Sequence, residues 1–245
     1  MEREELVRRL QDLQERCNRM GILTATAFLT GAEQAEAEQF LRRAPFCHVF
    51  YGGYPDAERR VLFFLPEYLE QTAVREELCA VRFRAYRQGP EHRDYLGAML
   101  ASGVRREWLG DILISGEEAY AFCLPTVAAH LAALDRIGRY PVKADAISLD
   151  EVKIPERQRK ELCFTVQSLR LDAVAGNLFG ISRTLAAKAI LAGAAKVNDL
   201  PCIKPDAELR EGDVISLRGY GKGKLAELGG TSRKGRRFLR AELYR

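Results

Sequence analysis

Residues 168–193 read SLRLDAVAGNLFGISRTLAAKAILAG and contain two helix patterns separated by a glycine. In the first pattern, apolar residues recur at i, i+3, i+4 and i+7, the period of one helix face. These residues are Leu171, Val174, Ala175 and Leu178. Gly180 ends the pattern, Ser182 is a natural N-cap for the second helix, and Gly193 is a natural stop. The stretch therefore predicts two short helices, over residues 168–179 and 182–192.

The polar faces of these helices carry positive charge. Arg183, Thr184 and Lys188 fall on the arc of the second helix opposite its apolar residues, and Arg170 opens the first. Arginine binds phosphate through two parallel hydrogen bonds, and small side chains such as Ala187 let a helix approach a backbone closely. We expect the helices to pack together and to present Arg170, Arg183 and Lys188 outward.

Short strands and turns follow, so the region reads as a small α+β module. Asn198-Asp199 is a turn signal, and strands are expected around residues 196–197, 203–205 and 214–218. The tail, residues 218–245, has nine basic and two acidic side chains. It is interpreted as a flexible arm that contacts phosphates. The alternative is a strand tied back through its apolar residues 238–243, and both can hold at once.

Charge is distributed unevenly along the chain. From Thr165 to the end there are fifteen basic and eight acidic side chains, a net charge of +7. The whole chain carries +4, which leaves −3 for residues 1–164. A mildly acidic body with a basic C-terminal region is typical of a protein with a polyanionic partner at one end.

Residues 1–74 predict an N-terminal α/β domain. Leu6, Leu10 and Cys17 share one face of a first helix, and Thr30 and Glu33 form a capping box for a second. Strands are expected at residues 47–51 and 61–65.

Residues 75–150 predict the β-α-β-β-α-β order of ferredoxin-like domains, an order that RNA-recognition-motif domains share. Tyr120 and Phe122 alternate on the third strand, where those domains place base-stacking aromatics, although core packing is the favoured role here. Residues 151–164 are strongly charged and predict a linker. The expected fold is therefore α+β, with the C-terminal domain at residues 165–245.

Composition narrows the function classes. The chain lacks an apolar run of the ~18 residues that a membrane helix needs, and its charged start lacks a secretory signal, so a cytoplasmic protein is expected. Its six cysteines contain no C-x-x-C pair, and there is no glycine-rich phosphate loop. No metal and no cofactor are predicted.

Two short patterns resemble catalytic motifs. His92-Arg93-Asp94 matches the kinase catalytic triplet without the other kinase motifs, and a polar network at a helix start is the favoured role. Arg170-Leu171-Asp172 resembles the catalytic motif of pseudouridine synthases, but it lies inside a predicted helix, where Asp172 is expected to orient Arg170 or Arg183. An RNA-modifying enzyme, with Asp56, His92 and Asp94 as its candidate site, remains an alternative.

The C-terminal module resembles the αL RNA-binding motif, the domain named for small-ribosomal-subunit protein four. Two positions depart from that pattern: Ala195 replaces a β-branched residue, and Asp199 replaces glycine at the turn, where its charge would weaken RNA contact. The matching residues are Arg170 to Asp172, Ser182, Arg183, Ala186, Ile190, Gly193, Val197, Asn198, Lys204, Pro205 and Gly212 to Ile215. The resemblance implies RNA contacts from the second helix and the following turn, through Ser182, Arg183, Lys188, Asn198 and Lys204.

Motifs elsewhere extend the resemblance to nearly the whole chain. Residues 51–60 (YGGYPDAERR), 92–97 (HRDYLG), 110–114 (GDILI) and 218–221 (RGYG) are similar to signatures of the YlmH-like family of bacterial proteins. The resemblance implies three domains and association with the large ribosomal subunit, including stalled complexes that hold peptidyl-tRNA. It implies a role in translation quality control and ribosome rescue.

We therefore predict a non-catalytic, monomeric, cytoplasmic protein that binds ribosomal RNA, with tRNA as a further candidate. A cell-division-linked interaction protein is the other alternative. The predicted RNA-binding residues are Arg170, Ser182, Arg183, Thr184, Lys188, Asn198, Lys204, Arg218, Lys222 and Lys224.

Overall fold

The computed structural model describes residues 3–86, 89–155, 159–231 and 235–244. The chain forms two compact units, Met1–Pro155 and Glu156–Arg245, here called unit 1 and unit 2. Helices and antiparallel sheets occur in both, which confirms the predicted α+β class.

Unit 1 begins with a three-stranded antiparallel sheet that packs against two helices. The sheet has the order β1-β3-β2. The elements are α1 (Arg3–Met20), β1 (Thr24–Leu29), α2 (Gly31–Arg43), β2 (His48–Tyr51) and β3 (Arg60–Phe64). Leu6, Leu10 and Cys17 are buried against this sheet, as the helical period predicted. The capping box of Thr30 and Glu33 is present at the start of α2.

A five-stranded antiparallel sheet follows in unit 1, in the order β5-β6-β4-β8-β7. Its elements are β4 (Cys79–Ala85), α3 (His92–Ala101), β5 (Leu109–Ser115), β6 (Glu118–Cys123), α4 (Pro125–Ala132), β7 (Arg136–Ile137) and β8 (Tyr140–Ile147). The elements follow the predicted β-α-β-β-α-β order. The short strand β7 is an addition, because the chain leaves α4 at Ala132 and turns back through a tight hairpin at Gly138.

The two faces of the five-stranded sheet are covered by different elements of unit 1. One face packs against α3 and α4 through side chains such as Val81 and Phe83. The other face packs against the N-terminal three-stranded sheet, and this core contains Tyr120 and Phe122, both fully buried. The Tyr54 ring is stacked on the Phe122 ring, with centroids 5.1 Å apart. The aromatics of the third strand are therefore core residues, as favoured from the sequence.

Unit 2 is one six-stranded antiparallel sheet with two helices on one face. The strand order is β11-β10-β12-β13-β14-β9. The elements are β9 (Arg159–Val166), α5 (Leu171–Leu178), α6 (Arg183–Leu191), β10 (Ala195–Val197), β11 (Leu200–Pro201), β12 (Val214–Leu217), β13 (Gly221–Thr231) and β14 (Arg237–Tyr244). The predicted strand at residues 203–205 is absent, and β11 lies earlier, directly after the Asn198-Asp199 turn.

The structure corrects one prediction about the ends of unit 2 and decides between the alternatives of another. Residues 151–164 were predicted to be a linker, but from Arg159 onward the chain is strand β9, which pairs with β14 along its full length. In the tail, the alternative of a strand tied back over residues 238–243 is confirmed: β13 and β14 form a long hairpin closed by β9, so residues 221–231 and 237–244 are not an arm separate from the sheet. Residues 156–158 of the predicted linker, and Arg233 and Lys234 of the tail, lie outside the described residues.

Within the described ranges, no helix has the length and apolar character needed to cross a membrane.

We expect Phe122→Ala to lower the free energy of unfolding by about 3–5 kcal/mol, because it empties a fully buried site under the Tyr54 ring. Urea unfolding of the full chain measures this loss. Tyr86→Ala is the matched control, since 72% of Tyr86 is exposed and the change should cost little. An unfolding free energy unchanged by Phe122→Ala, together with weaker RNA binding, would show that Phe122 stacks on bases instead.

Candidate nucleic-acid interface

Two glycines of unit 2 allow helices α5 and α6 to pack closely. A Cβ on Gly176 would lie 3.2 Å from the Ile181 carbonyl oxygen, so this glycine allows the connection between the helices to pass closely over α5. Gly180 turns the chain with a φ of +66°, a conformation that favours glycine. The Ser182 hydroxyl then accepts the Leu185 backbone N–H at 3.1 Å and starts α6. Local sequence therefore fixes where α6 begins relative to α5.

One buried carboxylate lies at the contact between the helices. Asp172 is in the first turn of α5, and its side chain is only 6% exposed. Its Oδ1 accepts a hydrogen bond from Arg170 Nε at 3.2 Å, and its Oδ2 accepts from Arg170 Nη2 at 3.1 Å and from Arg183 Nη2 at 3.2 Å. Burial alone would raise the pKa of Asp172, but the hydrogen bonds from Arg170 and Arg183 outweigh it and hold that pKa below its ordinary value. The carboxylate therefore stays charged and holds two guanidinium groups together.

This contact refines the prediction for Arg170 and Arg183. Both were expected to point outward, with Asp172 orienting one or the other, and the structure pairs each of them with Asp172. The reason is that Asp172 is buried and needs a countercharge, and the two arginines are its nearest donors. Two positive charges shared with one negative charge leave a surplus of one. The side chains of Arg170 and Arg183 remain 40% and 57% exposed, so their outer edges stay accessible.

The exposed face of α6 adds one cation and two hydroxyl groups. Lys188 is exposed one turn after the exposed Thr184, and Ser182 is exposed at the N-cap. No ion pair is found for Lys188 among the described residues. The first turn of α6 also offers backbone N–H groups and the positive end of the helix dipole. Ser182, Arg183, Thr184 and Lys188 thus share the accessible side of one short helix.

The predicted turn between β10 and β11 is a two-residue hairpin, and both turn residues have positive φ, 51° at Asn198 and 62° at Asp199. The Asn198 amide is used inside the chain: its Nδ2 donates to Asp213 at 2.8 Å and its Oδ1 accepts the Val214 N–H at 2.9 Å. Asp199 pairs with Lys222 at 3.5 Å. The Asn198 side chain therefore fixes the turn, and the acidic group at Asp199 offsets part of the Lys222 charge.

Lys222 and Lys224 lie on the other side of the sheet from α5. Between them, Gly223 points toward the helices, because a Cβ there would lie 3.0 Å from a Leu178 methyl group. Side chains alternate along a strand, so Lys222 and Lys224 point away. Lys196 shares their face through the register Lys196↔Ser216↔Lys222. Lys196 was missed in the sequence analysis, although the period-2 pattern of lysines and small residues would have indicated it.

The remaining predicted residues, Lys204 and Arg218, are exposed in loops of unit 2, and no hydrogen bond or ion pair of their side chains is found within the described ranges. The ten predicted residues therefore do not form one continuous patch. The structure brings together a helix group, which consists of Arg170, Ser182, Arg183, Thr184 and Lys188. Lys222 and Lys224 belong to the opposite face of the sheet.

A cavity of about 240 Å³ lies next to the helix group. Polar side chains dominate its lining, and among them are Gln167, Ser168, Asn177, Arg183 and Arg236. The Arg236 Nη2 donates to the Thr165 carbonyl oxygen at 2.7 Å, which ties the start of β14 to β9 beside this cavity. A polar hollow next to a guanidinium group suits a phosphate or a ribose hydroxyl.

In unit 1, the signature motifs of residues 51–60 and 110–114 contact each other. Asp111 accepts hydrogen bonds from the Tyr54 hydroxyl at 2.9 Å and from the backbone N–H groups of Glu58 and Arg59 at 2.6 and 3.1 Å. The Arg59 guanidinium donates to the carbonyl oxygens of Phe28 and Leu109 and so links β1 to β5. These motifs connect the N-terminal sheet to the five-stranded sheet.

A second cavity, about 390 Å³, lies beside this junction. Burial lowers the pKa of Arg59, and burial together with the nearby Arg59 charge lowers the pKa of Arg106 to about 10. The lining also includes Arg9, Glu5, Glu33 and Glu107, so its acidic and basic groups are equal in number. The cavity therefore has no surplus charge with which to attract a polyanion.

At the start of α3, Arg93 and Asp94 form the expected local polar network. The Asp94 carboxylate accepts the Glu91 N–H at 2.8 Å, and Arg93 pairs with Glu91 at 3.2 Å. Asp94 therefore caps a helix.

Comparisons with known proteins agree with this architecture. A family model described as "Putative RNA-binding domain in YlmH" matches residues 75–151, which contain the five-stranded sheet. The chain is 32% identical over 212 residues to "Ribosome-associated protein quality control protein P2" of Bacillus subtilis (strain 168), and the match covers 85% of this chain and 82% of that protein. Among solved structures, "Cell division protein ylmH from Streptococcus pneumoniae" matches with a TM-score of 0.53 at 16% identity, over 62% of this chain and 93% of that chain. The last match shows a shared fold.

The Asp172 contact predicts a pH dependence of stability. Because its folded-state pKa lies below the ordinary value of about 3.9, the carboxylate stabilises unit 2 above that pH and loses this contribution as the pH falls through the folded-state pKa. We expect the α5 amides to lose hydrogen-exchange protection more steeply in the wild type than in Asp172→Asn as the pH falls below about 3.9. Glu161→Gln, which changes an exposed carboxylate on β9, is the control and should follow the wild type. Parallel curves for wild type and Asp172→Asn would contradict the assigned role.

Proposed function

The chain belongs to the YlmH-like family, and from that premise we propose that it is a non-catalytic RNA-binding protein that associates with the ribosome through unit 2. The observation that carries the proposal is the arginine pair that Asp172 holds at the accessible side of α6. A family model for an RNA-binding domain and a ribosome-associated relative support RNA as the partner.

The geometry favours phosphate as the group recognised by the helix group. Two guanidinium groups fixed by a common carboxylate present their outer N–H groups in a set direction, and less side-chain entropy is lost when they bind. Lys188 and the N–H groups of the first α6 turn add positive potential next to them. Such a surface reads the shape of a folded RNA backbone, with little readout of base edges.

The finer parts of the proposal concern the target. We propose structured ribosomal RNA of the large subunit, with tRNA on stalled ribosomes as a second contact, in translation quality control and ribosome rescue. The protein would act in the cytoplasm as a monomer. The name of the Bacillus subtilis relative supports the quality-control part.

Two other functions compete with this one. An RNA-modifying enzyme would need Asp56, His92 and Asp94 in one site, but the Asp94 carboxylate is used to cap α3. A cell-division-linked interaction protein would bind RNA only incidentally. Sedimentation with ribosomal subunits distinguishes this last function from the proposed one, because an incidental binder would not sediment with them at low salt.

Binding to large ribosomal subunits should depend steeply on salt. About five phosphate contacts release condensed counterions and predict a slope of about −3.5 to −4.5 for log affinity against log salt concentration. Lys188→Glu should weaken binding about fivefold or more at 150 mM salt, since it replaces an exposed cation of the helix group. Lys160→Glu makes the same charge change at an exposed residue of β9 and should change the affinity less than twofold. Equal losses in the two variants would mean that only net charge matters.

The variant Asp172→Asn tests whether RNA binding depends on the orientation of Arg170 and Arg183 or only on the net charge of unit 2. The variant gains one positive charge, so attraction by net charge alone predicts tighter binding. We expect weaker binding instead, because Arg170 and Arg183 lose the carboxylate that orients them. Affinity for large subunits, measured at constant salt on protein whose folding circular dichroism has verified, decides between the two. Tighter binding by Asp172→Asn would refute the orienting role.

A further inference from the structure

One face of the five-stranded sheet in unit 1 is divided into two halves of different chemistry. The face opposite α3 and α4 carries every second residue of β4, β6 and β8. Its covered half is apolar and includes Ala80, Phe122 and Ile147, which pack against the N-terminal sheet. Its other half, here called the charged half-sheet, consists of Arg82, Arg84, Glu118, Arg136, Lys143 and Asp145. The apolar core with the N-terminal sheet therefore stops short of the charged part of this face.

Exposure rises toward one edge of the charged half-sheet. The side chains of Arg82 and Asp145 are 18% and 32% exposed, and that of Arg84 is 39% exposed. Lys143 on β8 and Arg136 on β7 are exposed. The edge formed by β8 and β7 is therefore the accessible part.

The acidic groups of the charged half-sheet are already occupied by neighbours. Asp145 pairs with Arg82 and, at 3.5 Å, with Arg84. Glu118 pairs with Arg84 at 3.4 Å and accepts the Tyr120 hydroxyl at 2.6 Å. Hydrogen bonding to Tyr120, with further help from Lys153, Arg82 and Arg84, lowers the pKa of Glu118, so it stays charged. These contacts hold the arginines in place and leave the cations at the edge without carboxylates among the described residues.

Two of the cations are placed directly opposite each other. Arg84 and Lys143 are cross-strand partners in the β4–β8 register. Like charges at such a position, about 5 Å apart at Cβ, destabilise a sheet. Arg136 pairs with Pro141, two residues from Lys143, so the row of positive groups continues to the sheet edge. A row of this kind is compensated when an anionic chain lies across it.

We propose that the charged half-sheet is a second RNA surface, which binds backbone phosphates through Arg84, Lys143 and Arg136. This inference rests on the proposed RNA-binding function and adds a surface in unit 1, outside the helix group. RNA is the occupant that fits, because this surface lies within the residues matched by the RNA-binding family model. Base stacking on the sheet is closed off by the Tyr54 ring on Phe122, so the contacts are to phosphates. Tyr86, which is 72% exposed, follows Arg84 by two residues directly after β4.

The test uses the full chain and protein-free ribosomal RNA of the large subunit. The variant is Arg136→Glu/Lys143→Glu, and the control is Arg8→Glu/Arg16→Glu, which reverses two exposed charges on α1. We expect the first variant to bind at least about fivefold more weakly at 150 mM salt and to reduce the salt slope by about 1.5. The control should stay within twofold of the wild type. A glutamate at 143 lies opposite Arg84, so the variant should fold at least as stably as the wild type.

Crosslinking with 4-thiouridine-labelled ribosomal RNA distinguishes the possible failures. The second surface is supported if peptides from the helix group are crosslinked and peptides from residues 79–86 or 136–147 are crosslinked as well. Crosslinks to the helix group alone, with unchanged affinity of Arg136→Glu/Lys143→Glu, overturn the second surface and leave the proposed function standing. Equal weakening in variant and control also overturns it, since net charge would then explain the effect. An absence of crosslinks at every site overturns both proposals.

Discussion

The packing of one sheet on another decides what unit 1 can bind. Tyr120 and Phe122 are fully buried between the five-stranded sheet and the N-terminal sheet, and the Tyr54 ring occupies the space over Phe122 where a base would stack. Burial of several large aromatic and aliphatic side chains stabilises this contact by an amount that no single nucleotide contact offsets. Unit 1 therefore keeps the strand order of a ferredoxin-like domain without the open aromatic surface that RNA-recognition-motif domains use.

In unit 2 the main constraint is the orientation of the cationic side chains. Long cationic side chains on a surface are mobile, and holding them in one geometry costs side-chain entropy. In unit 2 this entropy is lost on folding, before any RNA binds, because the buried carboxylate of Asp172 accepts three hydrogen bonds from Arg170 and Arg183. The carboxylate cancels one unit of positive charge, which weakens the long-range attraction of RNA, but it fixes the position of the two guanidinium groups. Shape-specific recognition of RNA depends more on the position than on the charge.

Local patterns predicted most of the elements, and long-range pairing accounts for what was missed. The capping box at Thr30 and the helix face of Leu6 and Leu10 depend on residues within a few turns of each other. Strand β9 depends on β14, more than seventy residues away, and its charged sequence gives no sign of that partner. Strand β1 was not predicted, because its sequence TATAFL has little apolar character although all but one of its residues are buried.

For the candidate site too, local sequence patterns predicted the elements but not the contacts between distant residues. The two helices, their caps and the identity of the basic residues followed from spacing, and an orienting role for Asp172 was expected. Its simultaneous contact with both arginines was not, because Arg183 is eleven residues away and reaches Asp172 only through the close passage at Gly176. The separation of Lys222 from the helix group likewise depends on which face of the sheet α5 covers.

The family signatures of unit 1 illustrate why a recurring polar motif need not be a reactive site. The oxygens of Asp111 are used by the Tyr54 hydroxyl and by the backbone N–H groups of Glu58 and Arg59. A Cβ on Gly53 would lie 2.3 Å from the Phe122 ring, so only glycine lets the loop pass there. Each of these groups fastens the N-terminal sheet to the five-stranded sheet and has little capacity left for a substrate. Chemistry directed at a partner must then come from groups that the fold leaves accessible, and in both units these include arginines held by buried or half-buried carboxylates.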